Sequence, residues 1–354
     1  MKIIKENSPH IRKASSVKRM MIDVIIALIP VVIFAFIQYG LNALKLFSIS
    51  IVTMLLAEFV FCFITLQEPY DGAKKTFKNR LKTCVSKMTI NNITAPLISA
   101  LIFALIMPAG ATWYVILVGA LFGQVIGKLV FGGLGGNIFN PAAVGRVFAM
   151  IAFGALLKYT MPASIFKIDV FVSGTPLGET QIYTWAAIRD LFFGLTSGSI
   201  GEVCKPLILL GGIYLFIRKS ADFRSTLAMI IAFMALMLVA GIATKGVNPW
   251  IYMLYHTLSG GLLFGAIFMV TDPITSPTTA PGRITFGILV GLISAFIRLF
   301  GAYPEGVAFA ILIANMFVPV IDYYKFSSNK YTWKKILLWT IILALAIVIV
   351  VVAL

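Results

Sequence analysis

The sequence is poor in the residues that bind metals. It has 2 histidines and 3 cysteines among 354 residues. Cys62, Cys84 and Cys204 lie far apart and form no C-x-x-C pair, so this chain alone supplies neither an iron–sulfur cluster nor a structural zinc site. His10 and His256 are too few for a haem pathway that uses several histidines. A redox centre here must use another kind of group.

Charged residues are also scarce, at 12% of the chain, whereas 60% of the residues are hydrophobic. An average soluble domain has about 25% charged and about 45–50% apolar residues. The composition therefore indicates an integral membrane protein. In a soluble protein the net charge of +16 would suggest nucleic acid. In a membrane protein the positions of the charges matter more than their sum, and no nucleic-acid partner is expected.

Apolar runs of about 20 residues, long enough to cross the hydrocarbon core, recur along the chain. They predict an all-α, polytopic membrane protein with about ten transmembrane helices. The predicted spans are 20–38, 46–67, 91–109, 113–131, 142–160, 203–217, 225–243, 254–270, 284–300 and 306–324. The segment 335–354 is an eleventh candidate. It has no polar face, so a helix lying on the membrane surface is disfavoured.

The basic residues predict how the spans are oriented. Lys and Arg are concentrated in segments that fall on one side of the membrane, and by the positive-inside rule this side, with the N-terminus, is cytoplasmic. The chain then divides into a cytoplasmic N-terminal segment (1–19), a first membrane half (20–160), an external segment (161–202), a second membrane half (203–324) and a basic linker with the extra helix (325–354). Because each half has five spans, an odd number, the halves are expected to be inverted relative to each other.

Two polar stretches interrupt the apolar pattern on the cytoplasmic side. They are GGLGGNIFNPAAVGR (132–146) and TDPITSPTTAPGR (271–283). Irregular backbone in lipid is tolerated only where protein or a water-filled cavity satisfies its polar groups, so both stretches are site candidates. Asn137 and Asn140 are suited to bind the edge of a heterocycle, or to cap the next helix. Asp272 and Thr275 belong either to a ligand site or to a helix stop.

Glu58 lies inside the second predicted span, where a lone charge costs several kcal/mol and usually faces the interior of the bundle. It is a candidate for the ion path, as a cation ligand or a proton relay. Pairing with a neighbouring subunit is a further candidate role, and the alternative is a structural pair with an arginine or a backbone group. His256, near the external end of a span, is better explained as a packed interfacial residue than as a ligand.

The external segment contains SGTPLGE at 173–179. On the residues alone, Thr175 followed by Pro176 is best explained as a helix N-cap with proline at the first helical position. The order of motifs along the chain changes this interpretation. SPHIRKASSVKRMMIDVIIALIP, FGGLGGNIFNPAAVGRV, SGTPLGE and TDPITSPTTAPGR, followed by GAYPEGVAFAILIANMFVPVIDYY, resemble the D subunits of Rnf electron-transport complexes over residues 8–324.

The resemblance implies a covalent flavin. In that family a threonine in an external Asp-x-x-Ser-Gly-Ala-Thr segment carries FMN through a phosphoester bond, which an FAD:protein FMN transferase installs. Here Asp169 keeps the family's distance from Thr175, and Ser173 and Gly174 occupy the two small positions before it. The sequence VFVSG stands between the aspartate and the threonine, in place of the usual x-x-Ser-Gly-Ala. The flavin would perform the electron chemistry, while the protein sets its position and potential.

The resemblance also implies a bacterial or archaeal cell membrane, a non-covalent riboflavin near the two cytoplasmic loops, and partner subunits of the C, B, G, A and E types. The family complex transfers electrons between ferredoxin and NAD and moves Na⁺ or H⁺. One alternative is the B-type subunit of the Na⁺-translocating NADH:quinone reductase, although the GGLG motif and the short N-terminal segment favour the Rnf type. A second is a secondary transporter or channel without redox chemistry.

Overall fold

The computed structural model describes residues 17–65, 77–157, 159, 177, 183–202, 204–301, 305–323 and 328–354. Its helices are α1 (Val17–Tyr39), α2 (Leu41–Thr65), α3 (Phe77–Lys87), α4 (Ile90–Ile106), α5 (Trp113–Gly127), α6 (Pro141–Phe153), α7 (Trp185–Phe193), α8 (Lys205–Arg218), α9 (Phe223–Ala243), α10 (Pro249–Leu258), α11 (Leu262–Phe264), α12 (Ala280–Phe300), α13 (Val307–Ile321) and α14 (Trp333–Ala353). Within the described residues, the only β-type contact is an isolated bridge between Pro108 and Ser199.

The prediction of an all-α, polytopic membrane protein is confirmed. Six described helices are long and apolar enough to cross a membrane, namely α1, α2, α5 with the 3-10 turn that follows it, α9, α12 and α14. Two bent pairs, α3 with α4 and α10 with α11, raise the number to as many as 8. Helices α6, α8 and α13 are shorter, with 13, 14 and 15 residues. The extra C-terminal span is thus present as α14.

One predicted span is broken in the structure. The apolar run 254–270 does not form one straight helix, because α10 ends at Leu258 and the chain resumes in α11 with a bend of 62°. Gly260, between them, has a φ of 65°, which favours glycine. Beyond α11 the helix continues as a π-helical turn, Gly265–Met269. Hydropathy does not reveal this break, since glycine and serine interrupt the run only briefly.

The two halves of the bundle use the same pattern of helix contacts. In the first half, α2 packs against α4 and α5, α5 against α6, and α1 against α4. In the second half, α9 packs against α10 and α12, α12 against α13, and α8 against α11. The halves meet where α1 contacts α8 and α6 contacts α13. Two related five-helix halves are expected to show the same helix–helix contacts in this way.

Helices α5 and α6 approach closely through small residues, as membrane helices often do. A Cβ atom added at Gly123 would lie 2.5 Å from the Pro141 carbonyl oxygen and 3.0 Å from Gly145 Cα. Backbone atoms cannot move aside as a flexible side chain can. Glycine is therefore required at this crossing, which holds the start of α6 against α5.

We expect Gly123→Ala to destabilise the bundle by about 1–3 kcal/mol, the usual cost of overpacking. Gly154→Ala is the matched control, because nothing lies within 4 Å of the added methyl group. Thermal unfolding of the two purified variants in the same detergent measures the difference. Equal unfolding temperatures would contradict the close approach of α5 and α6.

Candidate functional site

A crevice lies between α1, α4 and α8, and both polar loops line it. Asn137 and Asn140 contribute from the loop 132–140, and Asp272 from the loop 271–279. Its cavity volume is about 80 Å³. The apolar part of its wall includes Met21, Val24, Ala95, Ile98, Ile102, Leu134, Leu215 and Phe268. The structure therefore brings together the two stretches that the sequence singles out.

The side chain of Asn140 caps α6. Its Oδ1 accepts hydrogen bonds from the backbone N–H groups of Ala142 and Ala143, at 3.1 and 3.2 Å. Pro141 occupies the first helical position, where a missing N–H costs nothing. Of the two roles open to Asn140, capping is the one that its side-chain oxygen has.

The side chain of Asn137 is the more available of the two. Its Nδ2 donates to the Phe139 carbonyl at 3.2 Å. Its Oδ1 is buried and has no hydrogen-bond partner within the described part of the chain. A buried acceptor without a partner costs free energy unless something donates to it. Since Asn137 lines the crevice, this oxygen is suited to receive a ligand's N–H group.

The loop 271–279 is held to α13 by Asn315, a residue that the sequence pattern did not single out. Asp272 accepts hydrogen bonds from the Ile274 N–H at 3.2 Å and from the Thr275 hydroxyl at 3.1 Å. Asn315 of α13 is fully buried. With its amide oriented to satisfy both neighbours, it accepts from the Asn140 N–H at 3.1 Å and donates to the Thr275 carbonyl at 3.2 Å. Asn315 thus ties the two loops together.

Glu58 pairs with a lysine at the wall of the crevice. Its Oε2 accepts hydrogen bonds from Lys128 Nζ at 2.9 Å and from Gln124 Nε2 at 2.6 Å. The side chains of Glu58 and Lys128 are 5% and 2% exposed. Lys128 also lines the crevice. Glu58 is therefore connected to the candidate site through the side chain of Lys128. The sequence does not reveal this connection, because the two residues are far apart along the chain.

Most of the predicted flavin-attachment segment lies outside the described residues, including Asp169, Ser173, Gly174 and Thr175. Leu177, two residues after the predicted acceptor, is described and 8% exposed. It lies against Gly260, at the break between α10 and α11.

An ionic cluster lies close to Gly260. Arg146 contacts the Glu305 carboxylate at 2.8 Å and the Tyr159 hydroxyl at 2.8 Å. The Lys205 Nζ donates to the Gly260 carbonyl at 3.3 Å. Burial, and then the neighbouring Glu305, raise the pKa of the Glu202 carboxyl. The cluster joins the two halves at the end of the bundle opposite to the crevice.

His256 is packed among aromatic rings near the same end. It is 4% exposed, its Nε2 lies 3.2 Å from the Tyr183 hydroxyl, and its ring centroid lies 4.3 Å from that of Tyr252. This placement fits the interpretation of His256 as a packed residue. Among the described residues, no group of His, Cys, Asp and Glu is placed to hold a metal ion.

Comparison with known proteins adds to this geometry. The model of the NQR2, RnfD, RnfE family matches residues 4–331. The chain is 30% identical, over 89% of its length and 92% of the relative, to the D subunit of the proton-translocating ferredoxin:NAD⁺ oxidoreductase complex of Clostridium ljungdahlii. It is 33% identical, over 89% and 91%, to the Na⁺-translocating counterpart of Acetobacterium woodii. It is 35% identical, over 66% of its own length and 60% of the relative, to the B subunit of the Na⁺-translocating NADH-quinone reductase of Ectopseudomonas mendocina.

Proposed function

Because the chain belongs to the NQR2, RnfD, RnfE family, we propose that it is the flavin-carrying membrane subunit of an ion-translocating ferredoxin:NAD⁺ oxidoreductase complex. The similarity to the D subunits extends over nearly their whole length, at 92% and 91%, whereas the similarity to a B subunit covers 60% of that protein. This difference favours the D-type assignment over the quinone reductase. The other subunits of such a complex are its partners.

The observation that carries the proposal is the crevice lined by both polar loops, which we assign to a non-covalent riboflavin. Its wall is mostly apolar, as suits a planar ring system, and it carries a few polar groups that can fix orientation. The buried Asn137 Oδ1 is an acceptor without a partner among the described residues. When bound, a flavin supplies one- and two-electron chemistry that no side chain offers.

In this proposal the chain's own residues hold the flavin and keep its surroundings dry. Asn137 accepts a hydrogen bond from the heterocycle, while Asn140 and Asn315 keep the two loops at a fixed spacing. Lys128 brings a positive charge to the wall, with Glu58 behind it.

We assign covalent FMN to Thr175. The spacing from Asp169 and the small residues Ser173 and Gly174 support this assignment. Leu177, two residues further along the chain, is buried against Gly260. The tether would keep the redox group at the membrane surface. The test is flavin fluorescence of the purified, denatured chain together with mass spectrometry of the peptide around residue 175.

We expect Asn137→Leu to lower the non-covalent flavin content of the purified complex, with affinity falling about tenfold, because a buried hydrogen bond to the ring is lost. Acid extraction and chromatography would measure riboflavin per chain. Asn79→Leu, on the exposed face of α3, is the matched control. Wild-type riboflavin content and affinity in Asn137→Leu would exclude this residue from the site. A wild-type complex with no flavin of either kind would favour a non-redox transporter.

A further inference from the structure

The C-terminal helix leaves an apolar crevice beside the bundle. Helix α14 lies beyond residues 4–331, which the family model matches, and it packs against α9 and α12. Between α12, α13 and α14 is a crevice with a cavity volume of about 170 Å³. It is lined by Ile288, Leu289, Phe317, Val320, Trp339 and Ile342. It shares no lining residue with the proposed flavin site.

The two polar side chains that line this crevice, Thr285 and Trp339, are hydrogen-bonded to each other. The Trp339 indole N–H donates to the Thr285 hydroxyl at 2.9 Å, so the two polar groups nearest to it satisfy each other. Phe317 and Val320 are 47% and 58% exposed, and the crevice is therefore open on the α13 side. In a bilayer this opening faces hydrocarbon. An empty apolar gap would lose dispersion contacts on both of its walls, which favours filling by an acyl chain.

Basic side chains stand at one end of the crevice. Lys335 lies one turn before Trp339, on the same face of α14. Its Nζ donates to the Ser328 and Lys330 carbonyls at 2.7 and 3.2 Å. Lys330 and Lys334 are exposed, and neither has an acidic partner in the described part of the chain.

The same end of the crevice has the features of a membrane–water interface. Tyr331 and Trp333, which are 50% and 69% exposed, are the kind of aromatic residues that sit at the headgroup level. Asn329 ties the linker to the start of α12 through the Ala280 N–H at 3.2 Å. Asp322, the last acidic residue in the sequence, accepts a hydrogen bond from the Thr278 N–H, which is shared between both of its carboxylate oxygens. Its charge is thus partly satisfied by backbone.

We propose that the crevice and its basic end form a site for one phospholipid with an anionic headgroup. The acyl chain lies between α12, α13 and α14, and the phosphate lies against Lys330, Lys334 and Lys335. Clusters of basic residues beside a transmembrane helix are suited to anionic lipids. The cavity volume of about 170 Å³ suits a single acyl chain better than a helix of a partner protein, which is about 10 Å wide. The lipid would hold α14 to the bundle, since only Ala346 and Val350 of that helix are buried.

Quenching of Trp339 fluorescence tests the site in the purified complex. The complex is reconstituted in vesicles with brominated acyl chains on either phosphatidylglycerol or phosphatidylcholine, and the signal of Trp339 is the difference between wild type and Trp339→Phe. We expect phosphatidylglycerol to quench this signal at about tenfold lower mole fraction, because each lysine near the surface adds to the attraction of an anionic lipid. Lys330→Gln with Lys334→Gln should remove the preference.

The matched control is Lys78→Gln with Lys82→Gln, which removes two exposed lysines from α3, far from the crevice along the chain. This variant should keep the preference for phosphatidylglycerol. Equal quenching by both lipids would show that only bulk lipid reaches the crevice and would overturn the proposal. Absence of quenching by either lipid would show that a partner protein covers Trp339, and this result would also overturn the proposal. Native mass spectrometry should find a retained anionic lipid in wild type and less of it in the Lys330/Lys334 variant.

Discussion

Replacing Thr175 by alanine should abolish the covalent attachment of flavin that we propose for this chain. The hydroxyl oxygen is the atom that would form the phosphoester bond, and alanine removes it without adding bulk. We therefore expect complete loss of the fluorescent band on a denaturing gel when the protein is made together with its FMN transferase. Riboflavin extracted from the native complex should be unchanged, since the crevice lies at the opposite end of the bundle from Gly260.

Neighbouring hydroxyls provide the controls. Ser173→Ala and Thr180→Ala remove the other hydroxyls of the segment, and both variants should keep the label. Ser173 stands where the family has glycine, and Thr180 lacks the small pair that precedes Thr175. If the band persists in Thr175→Ala, or never forms in the wild type, the SGTPLGE stretch is a helix cap or turn and not an attachment site.

The sequence predicts the general architecture well because hydropathy and charge act on whole segments. Apolar composition alone identifies most membrane spans, including α14, which lies beyond the family match. It does not predict the break between α10 and α11, since Gly260 and Gly261 interrupt an apolar run without adding charge. The short helices α6 and α13 are overestimated for a related reason: neighbouring apolar loop residues extend the run.

The site was only partly predictable, because its members are far apart in sequence. The polar loops are recognisable, since irregular backbone inside an apolar chain needs a partner. Asn315 could have been noticed as a polar residue within the run AILIANMF, but only the fold shows that it joins Asn140 to Thr275. Likewise, Glu58 and Lys128 each stand out as charges in apolar surroundings, while their contact at 2.9 Å depends on how α2 packs against α5.

Glu58→Gln should leave the complex assembled while lowering ion transport driven by reduced ferredoxin at least tenfold. Glutamine keeps the shape of the side chain and can still bond to Gln124. It removes the negative charge beside Lys128. An ionised side chain inside a membrane span costs free energy, so such residues usually have a functional role. Ion uptake into membrane vesicles, compared with the amount of assembled complex, measures the effect. Glu202, buried near Gly260 at the other end of the bundle, gives a comparison variant, Glu202→Gln, for general effects of replacing a buried carboxyl group by an amide.

The paired variant separates a role in coupling from a role in folding. Breaking a buried ion pair by removing one partner costs about 3–5 kcal/mol, because the other charge is left uncompensated, whereas removing both partners together is often neutral. Glu58→Gln with Lys128→Met should therefore recover the thermal stability that the single variant loses. If Glu58 acts in coupling, this stable double variant should keep its riboflavin and still fail to transport ions, since no carboxylate remains to bind or relay a cation. Recovery of transport together with stability would reduce Glu58 to the structural partner of Lys128, and the ion path would then have to run through other residues of the complex.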